Sequence, residues 1–105
     1  MSQHPALDPE GYLVDLADWN ENTAEWLAAQ ENISLTPAHW EILHLLRDFY
    51  REFGLSPATR PLIKTIGQRL GKDKGNSLYV MKLFPESPAK LAAKLAGLPK
   101  PTNCL

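Results

Sequence analysis

The segment "LTPAHWEILHLLRDFYREFG", residues 35–54, constrains the fold more than any other part of the chain. Thr36 is a favourable N-cap, Pro37 fits the first helical position, and Gly54 is a typical helix terminator. Between them, large apolar residues recur at spacings of three and four, the period of one helix face. This stripe consists of Trp40, Leu43, Leu46, Tyr50 and Phe53. The pattern predicts the central helix of the core.

Shorter helices are predicted on both sides of this segment. "NTAEWLAAQE" at residues 22–31 has Asn22 as its expected cap, and "RPLIKTIGQRLG" has Thr59 as its expected cap. A further helix follows "KGNS", where Asn76 and Ser77 are capping residues. "SPAKLAAKLAG" predicts a last short helix that ends at Gly97. The largest expected core residues are Trp40, Tyr50 and Phe84.

The N-terminal region predicts a small β element. "DPEG" at residues 8–11 has the composition of a tight turn, and "YLVDL" after it is a short strand candidate. The expected fold is therefore mainly α, or α+β by virtue of a small N-terminal β-hairpin. We expect one compact helical domain over residues 1–97, with a helix-turn-helix-like pair, because a chain of 105 residues is too short to divide.

The C-terminal residues 98–105, "LPKPTNCL", predict a flexible arm that begins after a hinge at Gly97. Pro99 and Pro101 prevent helix and favour extended chain. The arm holds the only cysteine, Cys104. Its neighbours include no base to activate a hydrolytic nucleophile, whereas a thiol can become a persulfide reversibly. The pattern fits a group carrier, whereas composition alone favours a chance cysteine in a disordered tail, so both interpretations stay open at this point. In a carrier, the basic side chains Lys90, Lys94 and Lys100 are expected to orient the arm and to favour the thiolate.

The charges divide the chain into an acidic and a basic half. Residues 1–59 carry ten acidic and two basic side chains, whereas residues 60–105 carry nine basic and two acidic ones. The division indicates a polyanionic partner or two partners of opposite charge, unless the halves simply complement each other after folding. The candidate partner or nucleic-acid face consists of Arg60, Lys64, Arg69 and Lys74.

Several classes of protein are disfavoured. No apolar run approaches the roughly 18 residues of a membrane helix, and the N-terminus does not resemble a signal peptide. A single cysteine excludes an internal disulfide, so a cytoplasmic location is expected. No metal site is expected, because His39 and His44 stand five apart rather than at the i, i+4 spacing of a helical metal pair.

Several motifs in order, "TPAHWE", "RDFY", "KGNS", "LFP", "SPAK" and "AGLPKPTNCL", resemble the DsrC/TusE family of sulfur-trafficking proteins. The resemblance implies that Cys104 carries a persulfide on the arm and that no cofactor or metal is needed. The residues expected to contact partners, on the arm or just before it, are Lys90, Lys94, Gly97, Pro99, Lys100 and Pro101. DsrC proteins that serve dissimilatory sulfite reductase have a second cysteine eleven residues before the carrier cysteine. Here that position is Ala93, so this chain cannot form an intramolecular trisulfide.

The TusE branch of the family lacks the second cysteine too, and the chain is most similar to that branch. The resemblance then implies a sulfurtransferase of the persulfide-relay type, a stoichiometric carrier. It would accept sulfur from a TusBCD-like donor complex and pass it to an MnmA-like tRNA thiolase for 2-thiolation of the wobble uridine. Two alternatives remain open: a single-cysteine DsrC-like partner of sulfite reductase or of another sulfur-oxidation enzyme, and a helix-turn-helix DNA-binding regulator.

Overall fold

A computed structural model describes residues 4–101 of the chain. Within these residues there are five α-helices: α1 Glu21–Gln30, α2 Pro37–Phe53, α3 Thr59–Leu70, α4 Ser77–Leu83 and α5 Pro88–Leu95. A 3-10 turn at Leu16–Asp18 precedes them. No helix in this part of the chain is long and apolar enough to cross a membrane.

The centre of the core is α5, which contacts each of the other four helices. Ala92, Ala93, Leu95 and Ala96 are completely buried. Small alanine side chains allow neighbouring helices to approach closely, so a helix of eight residues can be surrounded on several sides. The expectation that α2 would be the central helix is therefore wrong, although α2 is the longest helix among the described residues.

The predicted N-terminal β-hairpin does not form. The described residues contain no strand, and only one antiparallel bridge, between Leu7 and Leu13, lies where the hairpin was expected. The Asp8 carboxylate closes the turn by accepting hydrogen bonds from the amides of Glu10 and Tyr12, both at 2.9 Å. Asp15 then caps the 3-10 turn, so the second side of the hairpin ends before a ladder can develop. The fold is mainly α.

The helix starts differ from expectation at two places. Asn20, not Asn22, caps α1, and its side-chain oxygen accepts the amide of Thr23 at 2.8 Å. At α3 the N-cap is Ala58, without a side-chain cap, so Thr59 is the first helical residue. The caps at Thr36 and Asn76 are confirmed. Several neighbouring residues can act as the N-cap of a helix, and local composition alone does not tell which of them does so.

The buried face of α2 is rotated relative to the predicted stripe. Leu43 and Leu46 are completely buried as expected, but Trp40 and Tyr50 are only partly buried and Phe53 is exposed. The remaining buried positions of the helix are His39, Ile42 and Leu45. Of the three large side chains expected to dominate the core, only Phe84 is fully enclosed.

His39 is a structural residue at the start of α2. Its Nδ1 accepts hydrogen bonds from the amide and hydroxyl of Thr36, at 3.0 and 2.7 Å, which completes a capping box. Its Nε2 lies 2.9 Å from the carbonyl oxygen of Leu83, to which it donates. These partners require the neutral ring protonated at Nε2. Burial lowers the pKa of His39, and the hydrogen bond to Leu83 opposes this only in part.

The C-terminal end of α5 is held by a Schellman motif. Gly97 has a φ of 72°, and its amide donates a hydrogen bond to the carbonyl oxygen of Lys94. The amide of Leu98 donates to the carbonyl oxygen of Ala93. A methyl group added at Gly97 would fall within 2.8 Å of the Cβ of Trp19 and closer still to its ring. Gly97 is therefore required by its backbone conformation and by its contact with Trp19.

Two side chains complete this helix end. The indole of Trp19 donates to the carbonyl of Leu95 at 3.0 Å, and the guanidinium of Arg47 donates to the carbonyl of Ala96 at 2.7 Å. The same guanidinium lies 4.0 Å from the centre of the Trp19 ring, a cation–π contact. Burial, followed by the like charge of Arg51, lowers the pKa of Arg47, but an arginine remains charged in proteins. The unpaired carbonyls of α5 thus gain buried donors.

Gly97→Ala should destabilise the protein by about 2–4 kcal/mol, because a side chain at left-handed φ costs about 1–2 kcal/mol and overpacking against Trp19 adds to it. Gly54→Ala is the matched control: its φ is also 72°, but nothing lies within 4 Å of the added methyl group. Urea denaturation of both variants isolates the Trp19 contact. Equal losses of unfolding free energy would contradict it.

The free energy of unfolding should decrease as the pH is lowered from 8 to 5.5. His39 binds a proton less readily in the folded state, so its contribution is complete above the unfolded pKa of about 6.5 and is lost as the pH falls through that value towards the folded pKa. His39→Gln should be less stable at pH 8 and should show a weaker pH dependence in urea titrations. His44→Gln, at an exposed position of the same helix, is the control for the substitution itself and should lose less stability at pH 8 than His39→Gln.

Candidate functional site

The first half of the predicted arm, residues 98–101, lies against the body of the protein; we call this segment the strap. Leu98 is buried, and the carbonyl of Pro99 accepts a hydrogen bond of 2.6 Å from the hydroxyl of Ser56, which is itself buried. Lys100 forms an ion pair of 2.9 Å with Glu10. Pro101 is buried as well. The strap therefore has contacts with both the N-terminal region and the turn after α2.

These contacts restrict how an arm over residues 98–105 could move. A hinge at Gly97 would have to separate the strap from Ser56 and Glu10 and remove Leu98 from the core. Movement after Pro101 would break none of these contacts. Cys104 itself lies outside the described residues, and its role, like the arm boundary, stays a prediction.

The lysines expected to assist Cys104 have other partners in the structure. Lys94 contacts Glu31 at 3.3 Å and lies 5.3 Å from the centre of the Tyr12 ring, whereas Lys100 contacts Glu10. Lys90 is half-buried, and its backbone carbonyl accepts a hydrogen bond from the Tyr12 hydroxyl at 3.2 Å. In this arrangement, Lys100 holds the strap to the N-terminal region, and Lys94 holds α5 to Glu31 and Tyr12.

A cavity of about 430 Å³ lies between the N-terminal region and α5. Glu10, which holds the strap, lines it together with Tyr12, Lys90 and Lys94. Its wall mixes carboxylates with ammonium groups. Among residues 4–101, no group of three His, Cys, Asp or Glu side chains could hold a metal ion.

The predicted basic face is divided by ion pairs. Arg69 contacts Glu52 at 3.0 Å, and Lys74 contacts Glu41 at 2.8 Å, a hydrogen bond that raises the pKa of Lys74. Arg60 and Lys64 are exposed on α3. Together with the pairs of Lys94 and Lys100, four ion pairs within residues 4–101 join the basic half of the chain to the acidic half. The two halves thus complement each other within the fold.

The sequence did not indicate several residues that position the site. Ser56, Glu10, Trp19 and Arg47 fix the strap or the helix end before it, yet each is distant from it in sequence. Ser56 lies in "GLSPA", between α2 and α3, and the composition of this segment indicates only a turn. Ala93, at the position of the second DsrC cysteine, is completely buried in α5.

Ser56→Ala should loosen the strap, because it removes a buried hydroxyl donor and costs about 1 kcal/mol of stability. The amide of Leu98 is the reporter, because it is the strap amide that donates to a carbonyl, that of Ala93 at 2.9 Å, and Pro99 and Pro101 have no amide hydrogen. Its hydrogen exchange should become faster than in the wild type. Ser34→Ala, at an exposed position, is the control. Unchanged exchange in Ser56→Ala would mean that this hydrogen bond does not hold the strap.

Comparison with known proteins gives a consistent result over almost the whole chain. The family described as "DsrC like protein" matches residues 2–105. The sulfurtransferase TusE homolog of Haemophilus influenzae is 55% identical over 98 residues, which cover 93% of this chain and 90% of the relative. Sulfurtransferase TusE of Escherichia coli K12 is 51% identical over 98 residues, with the same coverage of 93% and 90%.

Solved structures of DsrC have the same fold. The NMR structure of Allochromatium vinosum DsrC superposes with a TM-score of 0.86 at 50% identity, covering 94% of this chain and 88% of that one. A second match is the crystal structure of the oxidized gamma-subunit of the dissimilatory sulfite reductase (DsrC) from Archaeoglobus fulgidus. Its TM-score is 0.83 at 42% identity, covering 96% of this chain and 92% of that one. The family expected from the motifs is thereby confirmed, and the chain belongs to the DsrC-like proteins, the DsrC/TusE family.

Proposed function

We propose that this protein is a persulfide carrier of a sulfur relay, a sulfurtransferase that accepts sulfur on Cys104 and passes it on. The observation that carries the proposal is the identity of 51–55% to TusE sulfurtransferases over at least 90% of either chain. The position of the only cysteine supports it, since Cys104 stands three residues beyond the strap. We place the protein in the cytoplasm, where a reducing setting keeps a lone thiol free.

The transfer needs no cofactor. The Cys104 thiolate attacks the terminal sulfur of a donor cysteine persulfide, a new S–S bond forms, and the donor S–S bond breaks. The electron pair of the broken bond leaves with the donor thiolate, so no external oxidant or reductant is consumed. Cys104 then carries the persulfide, and the same exchange in the opposite role delivers the sulfur to the acceptor.

The proposed partners are a TusBCD-like donor complex and an MnmA-like tRNA thiolase, with 2-thiouridine at the wobble position as the product. The exposed cations Arg60 and Lys64 suit an approach to a thiolase that holds tRNA, because long-range attraction steers basic surfaces to phosphates. Arg69 and Lys74 contribute less to such a surface, since their charges are paired with carboxylates.

A second candidate is a DsrC-like partner of sulfite reductase or of another sulfur-oxidation enzyme. The TM-scores of 0.86 and 0.83 to DsrC structures favour it, and a single cysteine limits it to intermolecular chemistry. A DNA-binding regulator is less well supported: α2 and α3 are joined by the five residues 54–58, whereas helix-turn-helix connections usually have about three or four.

Cys104→Ser should abolish sulfur transfer, because a hydroxyl cannot form a persulfide. The measurement is tRNA 2-thiolation in a reconstituted relay of cysteine desulfurase, donor complex, carrier, thiolase and tRNA, together with mass spectrometry of the carrier. Wild type should gain the mass of one sulfur atom on Cys104, and the variant should not. Full thiolation with Cys104→Ser would contradict the proposal. Loss of transfer to tRNA with sulfur still loaded on wild type would favour the sulfite reductase alternative.

A further inference from the structure

Two large apolar side chains are exposed at the end of α2. Phe53 is 53% exposed and Leu55 is 50% exposed, and we call these two residues the α2 apolar surface. The ring of Phe49 packs against that of Phe53, with 4.6 Å between the ring centres. Single exposed apolar residues are ordinary, whereas aromatic side chains such as Phe53 are enriched at protein–protein interfaces relative to the rest of the surface.

The α2 apolar surface lies beside the strap. Leu55 directly precedes Ser56, whose hydroxyl holds the carbonyl of Pro99 at 2.6 Å. Gly54, between Phe53 and Leu55, has a φ of 72° and ends the helix, so the chain turns at this point towards the strap contact. Any protein that covers the strap near Pro99 therefore also comes close to Phe53 and Leu55.

Chain length limits how far the thiol can extend while the strap keeps its contacts. Cys104 follows Pro101 by three residues, which span at most about 10 Å when fully extended. The strap contacts with Glu10 and Ser56 need not break within that distance. A partner that reacts with Cys104 in this state brings its reactive sulfur to within roughly 15 Å of Pro101, because the cysteine side chain and the S–S distance add about 5 Å to the chain span, and it must cover the adjacent surface.

The charges around the α2 apolar surface indicate the kind of partner. Asp48 pairs with Arg51 at 2.7 Å, and Glu52 pairs with Arg69 at 3.0 Å, so the surrounding charges are neutralised. A surface of this kind offers little attraction to a polyanion such as tRNA and suits an apolar protein surface. Of the two proteins that exchange sulfur with Cys104, the donor is the one that need not bring tRNA with it.

We propose that Phe53 and Leu55 are the docking surface for the sulfur-donor protein, which binds them while the strap stays in place and presents its persulfide within reach of Cys104. The inference rests on the proposed function and adds to it the contact surface and the apolar character of the matching patch on the donor. Burial of these side chains strengthens donor binding but leaves the chemistry of the thiol unchanged.

The test measures the initial rate of sulfur loading onto Cys104 from a purified TusBCD-type complex that carries radiolabelled persulfide, at a series of donor concentrations. Phe53→Ser and Leu55→Ser should each raise the donor concentration for half-maximal loading about tenfold, as expected for loss of an interface anchor. Loading by glutathione persulfide, a small molecule that needs no docking surface, should remain at the wild-type rate.

Leu78→Ser is the matched control, because Leu78 is 75% exposed on α4 and is not part of the α2 apolar surface. It should load like the wild type. Wild-type loading by Phe53→Ser and Leu55→Ser, an equal effect of Leu78→Ser, or an equal loss with glutathione persulfide would each overturn the docking proposal alone. A wild-type chain that takes no label from the donor would contradict the proposed function itself.

Discussion

The end of α5 depends on a small set of contacts around Gly97, and the position of the arm depends on the end of α5. Trp19 and Arg47 donate to the last carbonyls of the helix, and the left-handed conformation of Gly97 turns the chain back over the Trp19 ring. Because these donors are partly buried, they fix the direction in which residue 98 leaves the helix. The strap then meets Ser56 and Glu10, and the three residues up to Cys104 start from a defined place.

This arrangement suits a carrier that must be both mobile and selective. A long free arm searches a large volume and loses much conformational entropy when a partner captures it. A short segment that follows a docked strap loses less conformational entropy, but it can react only with partners that come close to the body of the protein. Selectivity among thiol-reactive proteins can then reside in the body surface, since a thiol by itself distinguishes poorly between them. The buried Ala93 fits the same view, because it leaves Cys104 without an internal partner for a disulfide.

The separation of acidic and basic residues along the chain serves two purposes: it supplies ion pairs within the fold, and it leaves some cations exposed. Ion pairs between the halves, among them Lys94–Glu31 and Lys100–Glu10, connect α5 and the strap to the N-terminal region. Exposed pairs of this kind contribute little to stability individually. Their value here is positional, because the pair of Lys100 with Glu10 fixes the place of the strap beside the N-terminal region. Arg60 and Lys64, which are exposed on α3, leave part of the basic half for a partner.

The sequence by itself determined the local features: the helices of the central region, the caps at Thr36 and Asn76, the termination at Gly97, and the single thiol near the C-terminus. These follow from short-range propensities and from hydrogen bonds within one turn. Only the tertiary structure decided that α5 is central, that the hairpin is reduced to one bridge, and that residues 98–101 lie against the body. Contacts such as Trp19 with Leu95 and Lys100 with Glu10 join residues far apart in the chain, and no periodicity or local composition encodes such pairings.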